Sequence, residues 1–471
     1  MPEKDLSPLI GRYEQAQQLG KTPYFDADEF GELADYYDSQ DDLDAVRKII
    51  NTGLSIHPGN TSLLVKKAKL VVYDGDYESA LNILQFSSEY DFDLYLIKIE
   101  CYLQLEEYQK AYALSEELIE KEDNESIDHV FAELGFLHTE ADCFKEASLY
   151  FEESLKYNPE NLDVLSDLAY SYEMQEDYDA AIEVTNKILD IESYTYEAWV
   201  NLGKLYSLKE EFEKAIDAFD FALTINDSDN NILKLKAHCL TLSGRVAEAI
   251  EIFEELLLSD SEDTSIYLLL AECYQSLEMY DETLDNLKKY QEIEGLTDDL
   301  QLKQAYVYLQ KGDLKLASSI AEKKLEENPY SLDMNMVAGE IALRQGEYDK
   351  AEEYYLGIYS DNENNFQLLD RLAIIYIKKE DYGQAVYYTE KMLELDSGNL
   401  AIKERLALLY FEMDDKERFN FILNQFSDTE LLSLFSLIYA PQSSGYFDRD
   451  MLISYLNKAR ETRTLFKNLK Y

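Results

Sequence analysis

Residues 211–223 read EFEKAIDAFDFAL, and the small residue inside this stretch, Ala215, decides the fold. Equivalent small residues stand at Ala147, Ala181, Ala249, Ala317, Ala351 and Ala385, with Thr283 in the same series, and each step is 34 residues or a multiple. Toward the N-terminus the series continues through Ala111, Ala80 and Val46, with steps of 36, 31 and 34, and toward the C-terminus it fades at Phe419. Twelve residues upstream runs a second series, from Ala34 through Gly135, Ala169 and Gly203 to Ala407. Large residues keep two further registers: Tyr172, Tyr206, Tyr274 and Tyr376 beyond the second series, and Tyr178, Phe212, Tyr280 and Tyr382 before the first. Registers that hold together over eleven or twelve units mark an internal repeat.

Within each unit apolar residues recur at i, i+3, i+4, i+7 in two blocks, so each unit predicts two amphipathic helices. In one unit Trp199, Leu202, Gly203 and Tyr206 form the first block, and Phe212, Ala215, Phe219 and Ala222 the second. The small residues let the two helices cross closely while the large ones fill the space around them. Gly75, Gly244, Gly312 and Gly346 share one turn position, where a left-handed residue is expected to end the first helix. Pro58, Pro159 and Pro329 share another, where they stop the second. No single hairpin buries its apolar face alone, so stacking is required and the chain reads as one continuous array.

These residues closely resemble the tetratricopeptide-repeat family, whose pattern is matched best at Trp199, Leu202, Gly203, Tyr206, Ala215, Phe219 and Ala222. The resemblance covers residues 27–433, about twelve repeats. It implies an all-α fold, an α-solenoid: a right-handed superhelix of stacked helical hairpins whose first helices line a concave, peptide-binding groove. The steps of 31 and 36 predict an altered connection near 87–92 and an extension near 119–127. Residues 1–26 are expected to hold a lead or capping helix, and 434–471 capping helices of which the last is basic. That last segment carries Lys458, Arg460, Arg463, Lys467 and Lys470 against Glu461, which suits either a cap on acidic neighbours or a partner contact.

The chain's 471 residues carry 96 Asp and Glu against 43 Lys and Arg, a formal charge of −53. Such a surface repels phosphate backbones and anionic membranes, so neither nucleic acid nor membrane is expected as a partner. Two readings of the charge stand: it keeps an apolar-cored rod soluble, or it favours basic partners. The first residues lack the pattern of a secretory signal, no apolar run is long enough to span a bilayer, and four cysteines make no disulfide framework. A cytoplasmic setting is expected.

No phosphate-binding loop, nucleophile elbow or zinc-protease motif occurs, and the four histidines do not cluster. His138 takes a core tyrosine position, and Cys101, Cys239 and Cys273 fall beside the core seam of their first helices, all reading as packing residues. The loop from Asp227 opens like a calcium-binding loop but has Ile232 where glycine is required and His238 where a bidentate glutamate is required. No enzyme, metal or cofactor is therefore expected.

If first helices line the groove, their inward residues include Glu133, Phe136, Asp167 and Tyr170, then Asn201, Lys204, Lys234 and His238. Further on come Lys303, Tyr306, Arg344, Arg371, Lys378 and Arg405, so the face runs from acidic toward basic. The resemblance also brings to mind a Lys/Asn/Arg clamp on a peptide's terminal carboxylate, whose spacing is not reproduced here. Two readings stand: the basic residues neutralise Glu340, Asp370 and Glu404, or they bind an acidic or C-terminal peptide. The expected function is that of a scaffold or adaptor holding a protein or peptide. A co-chaperone-like module and a sensor whose superhelix responds to a small peptide or metabolite are the alternatives.

Overall fold

The computed structural model describes residues 6–19, 24–85, 87, 90–122, 126–259, 263–438 and 448–468, with side chains to residue 463. Among the described residues there are 27 helices and no strand, and they group into two compact units, Met1–Ile252 and Phe253–Tyr471.

The first unit opens with α1 Ser7–Gln18, α2 Ala27–Asp38, α3 Leu43–Ile56, α4 Thr61–Tyr73 and α5 Tyr77–Leu84. It continues through α6 Phe92–Gln104, α7 Tyr108–Lys121, α8 Ile127–Glu140, α9 Phe144–Tyr157 and α10 Leu162–Met174. It then runs through α11 Tyr178–Ile191, α12 Tyr196–Leu208, α13 Phe212–Ile225, α14 Asn230–Leu242 and the start of α15 Val246–Ser259. The second unit takes the rest of α15, then α16 Ser265–Ser276, α17 Tyr280–Glu294, α18 Asp298–Lys311, α19 Leu314–Glu327 and α20 Leu332–Gln345. It ends with α21 Tyr348–Tyr359, α22 Phe366–Lys378, α23 Tyr382–Leu395, α24 Leu400–Met413, α25 Lys416–Gln425, α26 Asp428–Ile438 and α27 Arg449–Asn468. From α2 to α25 the helices pair into successive hairpins, as the two-block pattern requires. The 31-residue step shortens α5 to 8 residues, and the 36-residue step falls in the connection between α7 and α8.

Every hairpin turns in the same way. Gly75, Gly244, Gly312 and Gly346 have φ of +78°, +86°, +85° and +78°, the left-handed conformation their position implied. In the other hairpins this place is held by acidic residues, Asp41, Glu106, Asp142, Glu176, Glu210, Glu278, Glu380 and Asp414, all at φ between 55° and 60°. A side chain in this region costs about 1–2 kcal/mol. The turn offsets it with a recurring bond: the amide that opens the second helix donates to a carbonyl in the last turn of the first, as from Asp177 to Tyr172 (2.9 Å) and from Glu211 to Tyr206 (2.9 Å). Asp42, Asp76, Asp177, Asp313, Asp381 and Asp415 then cap the second helix through their side chains. At the far end of that helix Pro58, Pro159 and Pro329 each follow the C-cap residue.

At several of the helix crossings side-chain volumes are reciprocal. Gly135, Gly203 and Gly339 leave no room for a β-carbon, because the rings of Phe151, Phe219 and Tyr355 fill that space. At the equivalent places Ala169 and Ala373 stand over buried Thr185 and Thr389, and Ile99 over buried Ser115. The three buried hydroxyls donate to the carbonyl four residues back, so no polar group is stranded. Neighbouring hairpins are joined by a second device. Tyr274 Oη donates to Glu254 (2.9 Å), Tyr410 Oη to Glu390 (2.6 Å), and Tyr172 Oη to Glu152, each glutamate lying 20 residues earlier on the preceding second helix. Burial and the Glu254 carboxylate push the Tyr274 hydroxyl up to about 12. In α27, Arg460 is buried against Asp414 and Arg463 lies 2.6 Å from Glu412; Lys470 and the Lys467 side chain fall outside the described residues.

Candidate functional site

In the second unit three successive first helices, α18, α20 and α22, line a cleft of about 450 Å³. The repeat puts the same face of each helix toward it. Tyr306 and Glu340, Gln310 and Arg344, and Met336 and Asp370 are each one 34-residue period apart, and all six line the cleft with Phe366, Gln367 and Arg371. Apolar surface comes from Tyr306, Leu309, Met336 and Phe366.

Its arginines are already engaged. Arg371 Nε lies 3.1 Å from Glu340 Oε2, and its Nη1 3.6 Å from Asp370. Arg405, from α24, holds the other oxygen of Asp370 at 2.7 Å. Arg344 donates to the Leu309 carbonyl (2.8 Å) and sits 3.4 Å from Glu340 Oε1. The neutralisation expected along each helix thus runs mainly between helices of successive hairpins, with only Arg344 and Glu340 at i, i+4 spacing. Beneath Gly339 the Tyr355 hydroxyl is fully buried and has no hydrogen-bond partner among the described residues. Burial raises its pKa, with Glu340 adding to the shift, and burial likewise raises that of Tyr306, with Asp333 and Glu340 adding.

The remaining expected contact residues scatter. Lys303 pairs with Glu272 at 2.8 Å, and Lys378 is exposed at the end of α22, outside the cleft lining. In the first unit Tyr170 is exposed on α10, edge-on to Phe144 with ring centroids 6.0 Å apart. Asn201 and Lys204 are exposed on α12, while on α14 His238 is exposed and Lys234 half-buried. On the first-helix face of this unit burial raises the pKa of Glu100, with Glu140 adding and Lys69 opposing, and that of Asp167, with Asp163 adding. Sequence reasoning missed Gln310, Met336, Phe366 and Gln367. The signal for Gln310 and Met336 was the period itself, one step from Arg344 and Asp370.

One histidine and three of the cysteines sit in the core. His138 is fully buried between the rings of Tyr112 and Tyr150, with its Nδ1 on the Leu134 carbonyl (2.7 Å), and burial lowers its pKa. Cys101, Cys239 and Cys273 are buried, and burial with Glu100 nearby pushes the Cys101 thiol up to about 12. Among the described residues no group of three or more His, Cys, Asp or Glu could hold a metal ion, and no helix is long and apolar enough to cross a membrane.

A family model described as anaphase-promoting complex, cyclosome, subunit 3, matches residues 208–290. No curated protein matches the chain. Similar solved structures include MamA, 23% identical over 34% of this chain and 92% of that one, with a TM-score of 0.32. The Cut9–Hcn1 hetero-tetramer of APC/C is 14% identical over 97% and 99% of the two chains, with a TM-score of 0.37. YrrB, titled a TPR protein with an unusual peptide-binding site, is 18% identical over 39% and 95%, with a TM-score of 0.33. A tetratricopeptide-repeat model matches residues 142–194 and 302–365, the segments holding α9 to α11 in the first unit and α19 to α21 in the second. With the same turn, crossing and period carried through successive hairpins on either side of those matches, the chain is a tetratricopeptide-repeat protein.

Proposed function

We propose that the chain is a protein-interaction scaffold that takes a segment of a partner protein on its first helices, with the cleft between α18, α20 and α22 as one contact. The observation that carries this reading is the cleft's composition: three successive hairpins give it an apolar wall of Tyr306, Met336 and Phe366 beside arginines fixed by Glu340 and Asp370. Side chains held in place lose little freedom when a partner arrives. The cleft is also locally near neutral, since among its lining residues Arg344 and Arg371 stand against Glu340 and Asp370 in a chain of charge −53. It therefore repels an acidic segment less than the rest of the surface does. Lys303 and Lys378 would extend the contact along the same helices. The four free cysteines suit the reducing cytoplasm.

Charge reversal of Arg371 or Arg405 would test this poorly, because a new carboxylate beside Glu340 or Asp370 would disturb the fold itself. Tyr306→Ala/Phe366→Ala is the cleaner variant, as both residues are partly exposed. Affinity capture from the source cell, followed by calorimetry with the purified partner, should give a protein held by the wild type. The variant should bind it at least tenfold more weakly with unchanged helical content. Equal affinity for both proteins would remove the cleft from the contact.

A further inference from the structure

The first unit exposes a periodic apolar stripe that the cleft of the second unit does not account for. Phe136 and Tyr170 occupy one row of the first-helix face, one period apart, and are 48% and 46% exposed. Met174, Leu208 and Leu242 occupy a second row at the same period, 46%, 52% and 51% exposed. Tyr170 and Met174 are four residues apart on α10, so the two rows lie on adjacent turns of one face. Large apolar side chains lined up on successive helices, all half out in water, mark an interaction surface rather than scattered exposure.

The same rows begin with carboxylates. Glu140 stands one period before Met174, and Glu100 holds the place of Phe136 one repeat earlier, across the 36-residue step. On α10, Asp163 and Asp167 precede Tyr170 by two turns and one turn. Among the described residues none of these four carboxylates has a Lys, Arg or His within ion-pair distance. In the second unit, by contrast, Glu340 and Asp370 each hold an arginine. Two of the four, Glu100 and Asp167, are half-buried, so they bear a desolvation cost that no ion pair within the chain relieves, Lys69 acting on Glu100 only from beyond pairing distance.

We propose that the first-helix face of the first unit, from α6 to α14, docks a cationic amphipathic segment of a partner protein. Its apolar side chains would lie along Phe136, Tyr170, Met174, Leu208 and Leu242, and its Lys or Arg side chains on Glu100, Glu140, Asp163 and Asp167. The proposal rests on the scaffold reading and adds to it the chemistry of one partner. Charge complementarity selects the occupant. A second copy of this acidic chain and a nucleic acid are both repelled, and a wholly polar cation leaves the stripe uncovered.

The experiment uses the full chain and a labelled helical peptide with Lys on one face and Leu on the other, followed by fluorescence anisotropy at physiological salt. One variant, Glu100→Gln/Glu140→Gln/Asp163→Asn/Asp167→Asn, removes the proposed charges. A matched variant, Glu116→Gln/Glu120→Gln/Asp190→Asn/Asp217→Asn, removes as many exposed charges from the second helices. A third, Tyr170→Ser/Leu208→Ser, interrupts the stripe. The first and third should lose at least tenfold in affinity and the matched variant less than threefold. All should keep wild-type circular dichroism, since every substituted side chain is at least partly exposed. Equal losses in the two charge variants would reduce the effect to diffuse attraction and overturn the proposal. So would equal affinity for a peptide with Ser in place of Leu, or no binding at all by the wild type. Tyr306→Ala/Phe366→Ala should bind this peptide as the wild type does, so failure of the cleft and failure of this face are read separately.

Discussion

The reciprocal packing at the helix crossing makes a sharp prediction at Gly203. A β-carbon built there would lie 2.4 Å from Phe219 Cε1, 2.6 Å from Cδ1 and 2.9 Å from Cζ. Ordinary carbon contact begins near about 3.5 Å, so the ring must retreat by about 1 Å. Phe219 is fully buried and has nowhere to go. Overpacking of this kind costs about 1–3 kcal/mol, while alanine in place of glycine returns about 1 kcal/mol of helix propensity. Gly357, on α21, separates the two effects, because nothing lies within 4 Å of its β-carbon position. Gly357→Ala should therefore stabilise its helix by about 0.5–1 kcal/mol, and Gly203→Ala should fall short of it by about 1–3 kcal/mol. Phe219→Leu added to Gly203→Ala reproduces the Ala68/Leu84 and Ala271/Leu287 combinations found elsewhere in the chain. The pair should then be more stable than the sum of its single variants by about 1 kcal/mol or more. Long arrays do not unfold in one step, so the assay is hydrogen exchange read by mass spectrometry on peptides from α12 and α13. If Gly203→Ala protects those peptides as well as Gly357→Ala protects α21, the crossing argument is wrong.

Three further outcomes follow from single residues. His138 has a folded pKa below its ordinary 6.5 and faces the Tyr112 and Tyr150 rings, the Leu134 carbonyl and, more distantly, Glu146. The unfolded chain thus takes up the proton first, so stability is full above about pH 6.5 and falls as the pH drops through that value toward the folded pKa. His138→Phe should flatten this dependence in thermal melts between about pH 7 and pH 5, and an unchanged slope would exclude His138 as its source. Glu210 holds φ +60° in a turn where other hairpins use glycine. Glu210→Gly should gain up to about 1 kcal/mol and Asp217→Gly, within α13, should lose about as much, both read by exchange of that hairpin. Tyr355→Phe removes a buried hydroxyl without a partner and should be neutral or stabilising, whereas Tyr274→Phe gives up its bond to Glu254 and should cost about 1 kcal/mol in denaturant titration.

The parts of this fold that were legible are those with local chemistry. Ala215 and its equivalents report a close crossing because size is visible in the sequence, and Gly75 or Pro58 reports a turn because backbone freedom is written in the residue itself. The eight acidic residues at the same turn were not read, since Asp and Glu carry no such mark and only the period shows that Glu176 stands where Gly244 does. The pairing of Gly203 with Phe219 needed both series to be read against each other rather than separately. The site was harder. Periodicity tells which residues share a face, and Tyr306, Arg344 and Arg371 of the expected set line one cleft. It does not tell which turn of the neighbouring helix each one meets. Arg371 reaching Glu340 and Arg405 reaching Asp370, 31 and 35 residues apart in sequence, depend on how successive hairpins are offset, which no single-helix spacing encodes.

The two kinds of contact that hold the array together differ in what they would carry through recombination. Glycine and its filling ring lie on the two arms of one hairpin, so a hairpin excised at its boundaries and inserted elsewhere brings its own fitted crossing. The tyrosine hydroxyl bonds reach back to the preceding hairpin and would be left behind by the same transfer. Duplication and shuffling of whole repeats would thus preserve each unit's interior at once and restore its seams only later, when a glutamate reappears twenty residues before the tyrosine. Hairpins that now lack that glutamate, such as the one with Tyr206 and Asn186, are the natural places to graft a foreign repeat, because no seam bond of this kind would be lost there.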